Sequence, residues 1–174
     1  MGDAVVRDVS GHRPIGRLRK VILLSAMLAS SASADTVADT VQKWGLIGRW
    51  SQDCSLPPDH GKGTVLAYGI EPGGSVVHRR EFGDSTDENK VISAGISRNG
   101  MLNLRVYFPA FKETRGYGLM MQGDGMRTIY NHNEKKQYFI KNGRFTVDGK
   151  PAPLLHRCVD AGGQPNKAAA AAPD

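Results

Sequence analysis

Residues 90–108 read Lys90-Val91-Ile92-Ser93-Ala94-Gly95-Ile96-Ser97-Arg98-Asn99-Gly100-Met101-Leu102-Asn103-Leu104-Arg105-Val106-Tyr107-Phe108. An Asn-Gly pair between two apolar-rich runs is a hairpin signal. A two-residue loop at Asn99-Gly100 would set Ile96 against Asn103 and Ala94 against Arg105, apolar against polar. A three-residue loop, Arg98-Asn99-Gly100 with Gly100 left-handed, moves the pairing by one residue. Ile96 then meets Leu102, Ala94 meets Leu104 and Ile92 meets Val106, and all six share one face. A one-residue slip sends every side chain to the opposite face, so this consistency selects the three-residue loop. On that register Arg105 and Tyr107 lie opposite the aliphatic face.

Outward from this hairpin, turn signals recur at short intervals: Glu71-Pro72-Gly73-Gly74, Gly83 to Asp87, Gly123-Asp124-Gly125, Asn142-Gly143 and Asp148-Gly149. The segments between them are short and rich in Val, Ile, Leu, Tyr and Phe, and none carries a capped 3.6-residue apolar period. This spacing predicts strands over 46–52, 64–70, 75–82, 90–97, 101–109, 114–122, 126–132, 136–141, 144–147 and 153–158. A two-residue turn at Asn142-Gly143 would pair Ile140 with Phe145 and Tyr138 with Val147. One helix is expected, within Asp35 to Trp44, with Val37, Val41 and Trp44 on one face and Gly45 as the stop. So many strands must hide their edges. The expected fold is all-β: an antiparallel up-and-down barrel of about 8 strands with a short N-terminal helix, and a β-sandwich is the alternative.

The two ends of the chain differ from this body. Arg13, Arg17, Arg19 and Lys20 precede the apolar run Val21 to Ala29, followed by Ala32-Ser33-Ala34. A basic region, an apolar region and an Ala-x-Ala site are the plan of a secretory signal peptide. The apolar run is half the roughly 20 residues of a spanning helix, so no membrane span is expected in a mature chain beginning at Asp35. The domain expectation is a leader over 1–34, one all-β domain over 35–160, and a disordered Ala/Pro/Gly tail over 161–174, where no large apolar residue is present to bury. The formal charge of +6 falls to +3 without the leader. No Lys/Arg stripe with interleaved aromatics remains, which argues against a nucleic-acid partner. The expected compartment is the bacterial periplasm or the exterior, and the expected state is a monomer.

That compartment is oxidising, and the two cysteines, Cys54 and Cys158, allow one intramolecular pairing. A disulfide between them is expected; free thiols or an intermolecular bridge are the alternatives. Such a bridge would stabilise the chain by roughly 4 kcal/mol through loop closure.

Chemistry-bearing motifs are sparse. His60, His78, His132 and His156 lack metal-ligand spacing and read as structural or solvent-facing, so no metal and no cofactor are expected. Asp84, Asp87 and Glu88 read as an acidic hairpin tip without the ordered oxygens of a calcium loop. The Gly-x-Gly triplets at Gly61, Gly116 and Gly123 precede no helix and read as turns or close strand approach. No Gly-x-Ser-x-Gly elbow exists, and no enzyme activity is expected. The residues offered as a ligand or partner surface are Arg105, Tyr107, Arg127 and Tyr130.

Gly48-Arg49-Trp50 opens the first strand, and Arg157 stands beside Cys158 in the last. This frame resembles the calycin plan of lipocalins and small periplasmic protease-inhibitor barrels, and small exported proteobacterial proteins with no assigned role. The resemblance implies that Trp50, with Gly48, closes one barrel end and that Arg157 packs across it. The expected function is that of an exported, non-enzymatic barrel binding a small or lipidic ligand, since a barrel of about 8 strands can enclose one small molecule. Alternative functions are a protein-binding inhibitor of a protease or lysozyme, or a hydrolase whose site is not visible in the sequence.

Overall fold

A computed structural model describes residues 35–60 and 63–159. The expected leader, its cleavage point and the expected tail over 161–174 lie outside the described residues. The elements are α1 (Val37–Trp44), β1 (Gly48–Ser51), β2 (Val65–Ile70), β3 (Val76–Glu81), β4 (Thr86–Ile96), β5 (Leu102–Phe108), β6 (Glu113–Gln122), β7 (Gly125–His132), β8 (Tyr138–Lys141), β9 (Arg144–Phe145) and β10 (Leu154–Cys158). Strands β1 to β7 pair antiparallel in chain order, and β10 pairs with both β7 and β1. The result is a closed eight-stranded antiparallel barrel, consistent with a calycin-like fold, with β8 and β9 as an added hairpin on β7. Among the described residues no helix is long and apolar enough to cross a membrane.

Helix α1 is fixed at both ends by local chemistry. Thr36 and Asp39 form a reciprocal capping box. At the other end Gly45 takes φ +84°, its N–H reaches the carbonyl of Gln42, and the N–H of Leu46 reaches that of Val41. Val41 and Leu46, five positions apart, are both fully buried, the apolar companion of this helix-ending turn. The Trp44 indole N–H donates to the carbonyl of Gly100 at 2.8 Å, which ties the helix to the tip of the β4–β5 hairpin.

That hairpin has its three-residue loop: Gly100 is left-handed at φ +82°, and Ile96 pairs with Leu102 and Ala94 with Leu104. The third expected pair is corrected. A bulge at Ile92 interrupts the ladder, so Val91, not Ile92, opposes Val106. Val91 is buried while Ile92 is exposed, because the extra residue restores the inward face to Val91. The acidic hairpin tip is also corrected. Strand β4 begins at Thr86, and Asp87 and Glu88 lie inside it, paired with Arg80 and Arg79 of β3. Opposite charges across neighbouring strands support pairing, and they carry the ladder past the point where apolar alternation stops. At Asn142-Gly143 the two-residue turn forms with both residues at positive φ, and Ile140 pairs with Phe145. The further pair Tyr138 with Val147 does not form: β9 stops at Phe145, Thr146 turns back to the carbonyls of Tyr138 and Phe139, and Val147 is exposed.

One end of the barrel is closed by a small cluster. Trp50 is 1% exposed and its indole N–H donates to the carbonyl of Leu46 at 2.8 Å. Arg157, its register partner on β10, lies with its guanidinium 4.8 Å from the indole centroid and donates to the carbonyl of Gly45. Gly48 sits beneath that guanidinium at φ +135°, a conformation that a side chain would strain. The Cys54–Cys158 disulfide is present, with the two Cα atoms 5.3 Å apart. It joins the turn after β1 to the last residue of β10.

Candidate functional site

Alternation along β5 decides what the barrel encloses. Leu102, Leu104, Val106 and Phe108 point inward and are at most 2% exposed. Trp50, Leu119 and Met126 join them, so this part of the interior is filled with side chains. Toward the other mouth the filling turns polar. His78 of β3 stacks on Tyr68 with ring centroids 5.0 Å apart and meets Phe108 and Tyr117 edge-on at 5.9 Å. Beyond it, Arg80 chelates Asp87, which also accepts from the Asn89 amide at 2.9 Å. Arg115 donates to Glu113 at 2.7 Å, and the guanidiniums of Arg80 and Arg115 lie 4.9 and 5.0 Å from the Phe108 centroid.

Burial sets the titration of this group. Desolvation first, then the Arg80 charge, push the His78 pKa down to about 3 against a smaller opposing pull from Asp87. Burial alone would raise the Asp87 carboxyl, but the hydrogen bonds and charge of Arg80, with Asn89 and His78, hold it below its ordinary value. His78 is therefore a neutral ring at pH 7, and neither of its buried nitrogens has a hydrogen-bond partner.

One concavity lies on the outside of the wall. It is a half-open groove of about 640 Å³ over β4 to β7 and the turn that follows β7. Two ladders of outward residues cross it. Ser93, Arg105, Gly116 and His132 stand in register on the four strands, and Gly95, Asn103, Gly118 and Tyr130 stand in the next ladder. The bulge at Ile92 is what sends Ser93 and Gly95 outward on β4. Gly95 leaves its part of the floor open, with no atom within 4 Å of where a Cβ would stand.

Rings from β7 settle over the glycines of β6. A Cβ at Gly116 would fall 2.7 Å from the His132 ring, and one at Gly118 would collide with the Tyr130 ring and come within 2.9 Å of the Met101 sulfur. Tyr130 crosses Gly118 and donates its hydroxyl to Asn103 Oδ1 at 2.7 Å. Its phenol is pushed up first by burial and then by Tyr138. His132 runs nearly parallel to Tyr130, at 15° with centroids 5.5 Å apart, and its Nδ1 lies 2.8 Å from the carbonyl oxygen of Asn133. That contact assigns the proton to Nδ1. Thr114, Glu134 and Lys136 complete the rim.

Of the residues expected to form a surface, the structure brings together Arg105 and Tyr130. Tyr107 is on the same outer face of β5, opposite Lys90 and Thr114, but outside the groove. Arg127 belongs to a separate concavity of about 430 Å³ beside Phe145, Asp148 and Leu154. His132, Asn103 and the two β6 glycines were not singled out as binding residues. Their signal is the spacing itself: glycines at 116 and 118 pair with His132 and Tyr130 once β6 and β7 are in register. Among the described residues no three His, Cys, Asp or Glu side chains converge on a metal-sized site. Comparisons with protein-family models, curated proteins and solved structures return no match.

Proposed function

We propose that this chain is a non-enzymatic, extracytoplasmic binding barrel that takes a small ligand on its outer wall. The observation that carries the reading is the glycine-floored groove of about 640 Å³, a volume suited to a small molecule. The packed interior around Trp50, Leu104 and Phe108 supports placing the ligand outside, not in the lumen. The leader-like residues 13–34 and the Cys54–Cys158 bridge support an oxidising compartment.

Native mass spectrometry of protein purified from its own host tests this reading, with Gly95→Trp as the control. A Cβ at Gly95 meets no atom within 4 Å, so an indole there fills the groove without displacing the wall. The expected result is a retained small-molecule mass that disappears in the variant. Retention unchanged by Gly95→Trp would contradict it.

A second reading, a protein-binding inhibitor, is favoured by one observation. Phe111 in the β5–β6 turn is 57% exposed, and it stands beside Arg115 at the polar mouth of a filled barrel. In the same experiment that reading predicts a co-purified protein mass, lost in Phe111→Ser and kept in Gly95→Trp.

A further inference from the structure

We propose that the groove is a receptor for an oxyanion carried on a planar ring, with Arg105 holding the anion and the Tyr130–His132 pair facing the ring. The proposal rests on the outer-wall reading and adds the chemical class of ligand.

The charge argument starts from the arginines of the barrel wall. Strands β1 to β6 carry Arg49, Arg79, Arg80, Arg105 and Arg115. Arg49 pairs with Glu81, Arg79 with Glu88, Arg80 with Asp87 and Arg115 with Glu113. Of these five, Arg105 has no hydrogen bond or ion pair among the described residues, and it is exposed; Arg127 of β7 is likewise unpaired, but it is half-buried and lines the separate concavity beside Phe145. The register neighbours of Arg105 explain why: Ser93 on one side and Gly116 on the other offer no carboxylate. Four of the five arginines on β1 to β6 are neutralised in pairs, and the fifth is left free where it borders a concavity. A planar guanidinium binds a carboxylate or phosphate through paired donors. Lys136 adds a second cation to the rim, against the single carboxylate of Glu134.

The ring argument starts from the glycines. Gly116 and Gly118 let two rings lie down on the wall, and each ring is anchored through a polar atom: Tyr130 through Asn103, His132 through the Asn133 carbonyl. Anchoring lowers the ordering cost of binding. Parallel rings 5.5 Å apart beside an unpaired guanidinium suit a flat ligand with an anionic edge.

The test uses the disulfide-intact chain, isotope-labelled for amide shift mapping, titrated with 2-naphthoate, 2-naphthyl phosphate, the neutral isostere 2-naphthamide, and acetate. The expected result is saturable binding of one of the two naphthyl anions, with shifts centred on Ser93, Gly95, Arg105, Gly116 and Tyr130. Naphthamide and acetate should each bind about tenfold more weakly or worse, and Arg105→Gln should remove about the same factor while the rest of the spectrum is kept. Which anion binds tells carboxylate from phosphate. Equal binding of naphthamide, or indifference to Arg105→Gln, with shifts still in the groove, overturns the oxyanion proposal and leaves the outer-wall reading standing. Shifts centred on Trp50, Phe108 and Tyr117 overturn both. No binding of either naphthyl anion at millimolar concentration overturns the proposal.

Discussion

His78→Phe should make the protein more stable, and more so as the solution is acidified. The ring is 1% exposed, neither nitrogen is hydrogen-bonded, and its surroundings are the rings of Tyr68, Phe108 and Tyr117. Burying a polar group without a partner costs about 1–3 kcal/mol. Phenylalanine keeps the ring contacts and removes that cost, so a gain of about 1–3 kcal/mol is expected at pH 7.5. The pH dependence has a definite sign. In the unfolded chain the imidazole takes up its proton near 6.5, whereas in the folded barrel it does so only at about 3. Between those values the unfolded state binds more protons, so the wild type loses stability as pH falls. The slope is about 1.4 kcal/mol per pH unit, and the total is on the order of 5 kcal/mol if the fold survives to the lower limit. Urea melts of both proteins at pH 7.5, 5.5 and 4.5 isolate the effect, because the carboxylates are common to the two and, apart from Asp87, on which His78 itself acts, cancel in the difference. The gap should widen at each step. A variant less stable than wild type at pH 7.5, or a gap that stays constant with pH, would refute the reasoning.

The closed end makes a second prediction. Trp50→Ala should cost about 3–5 kcal/mol and Arg157→Ala less. In a double-mutant cycle the pair should couple, since the guanidinium lies on the indole and both donate to carbonyls of the same turn; strict additivity in urea melts would sink the stacked arrangement. Reducing the Cys54–Cys158 bridge, which spans 104 positions, should lower stability by up to roughly 4 kcal/mol. Melts with and without a reductant measure this, and identical midpoints would count against it.

How much of this was legible in the sequence depends on the range of the physics involved. The β4–β5 loop and the Asn142-Gly143 turn were readable because residues a few positions apart decide them. The start of β4 was not. Asp84 to Glu88 look like a loop by composition, and only the arginines of β3 across the ladder turn Asp87 and Glu88 into strand residues. The bulge at Ile92 was hidden because Val91 and Ile92 are equally apolar, and only the wall decides which faces inward. Cys54, Cys158, Trp50 and Arg157 could be placed together since closing the chain on itself brings the first and last strands into contact. The groove could be read only in half. Arg105 and Tyr130 stood out by residue type, but the role of Gly116 and Gly118 as beds for His132 and Tyr130 exists only across the β6–β7 register.

The most direct test of the outer-wall site is a crystal structure of the protein with the small molecule it retains from its host. The account predicts density over Gly95 and against the outer faces of the Tyr130 and His132 rings, with an oxyanion within hydrogen-bond reach of the Arg105 guanidinium. Density inside the barrel, among Trp50, Leu104 and Phe108, would contradict it.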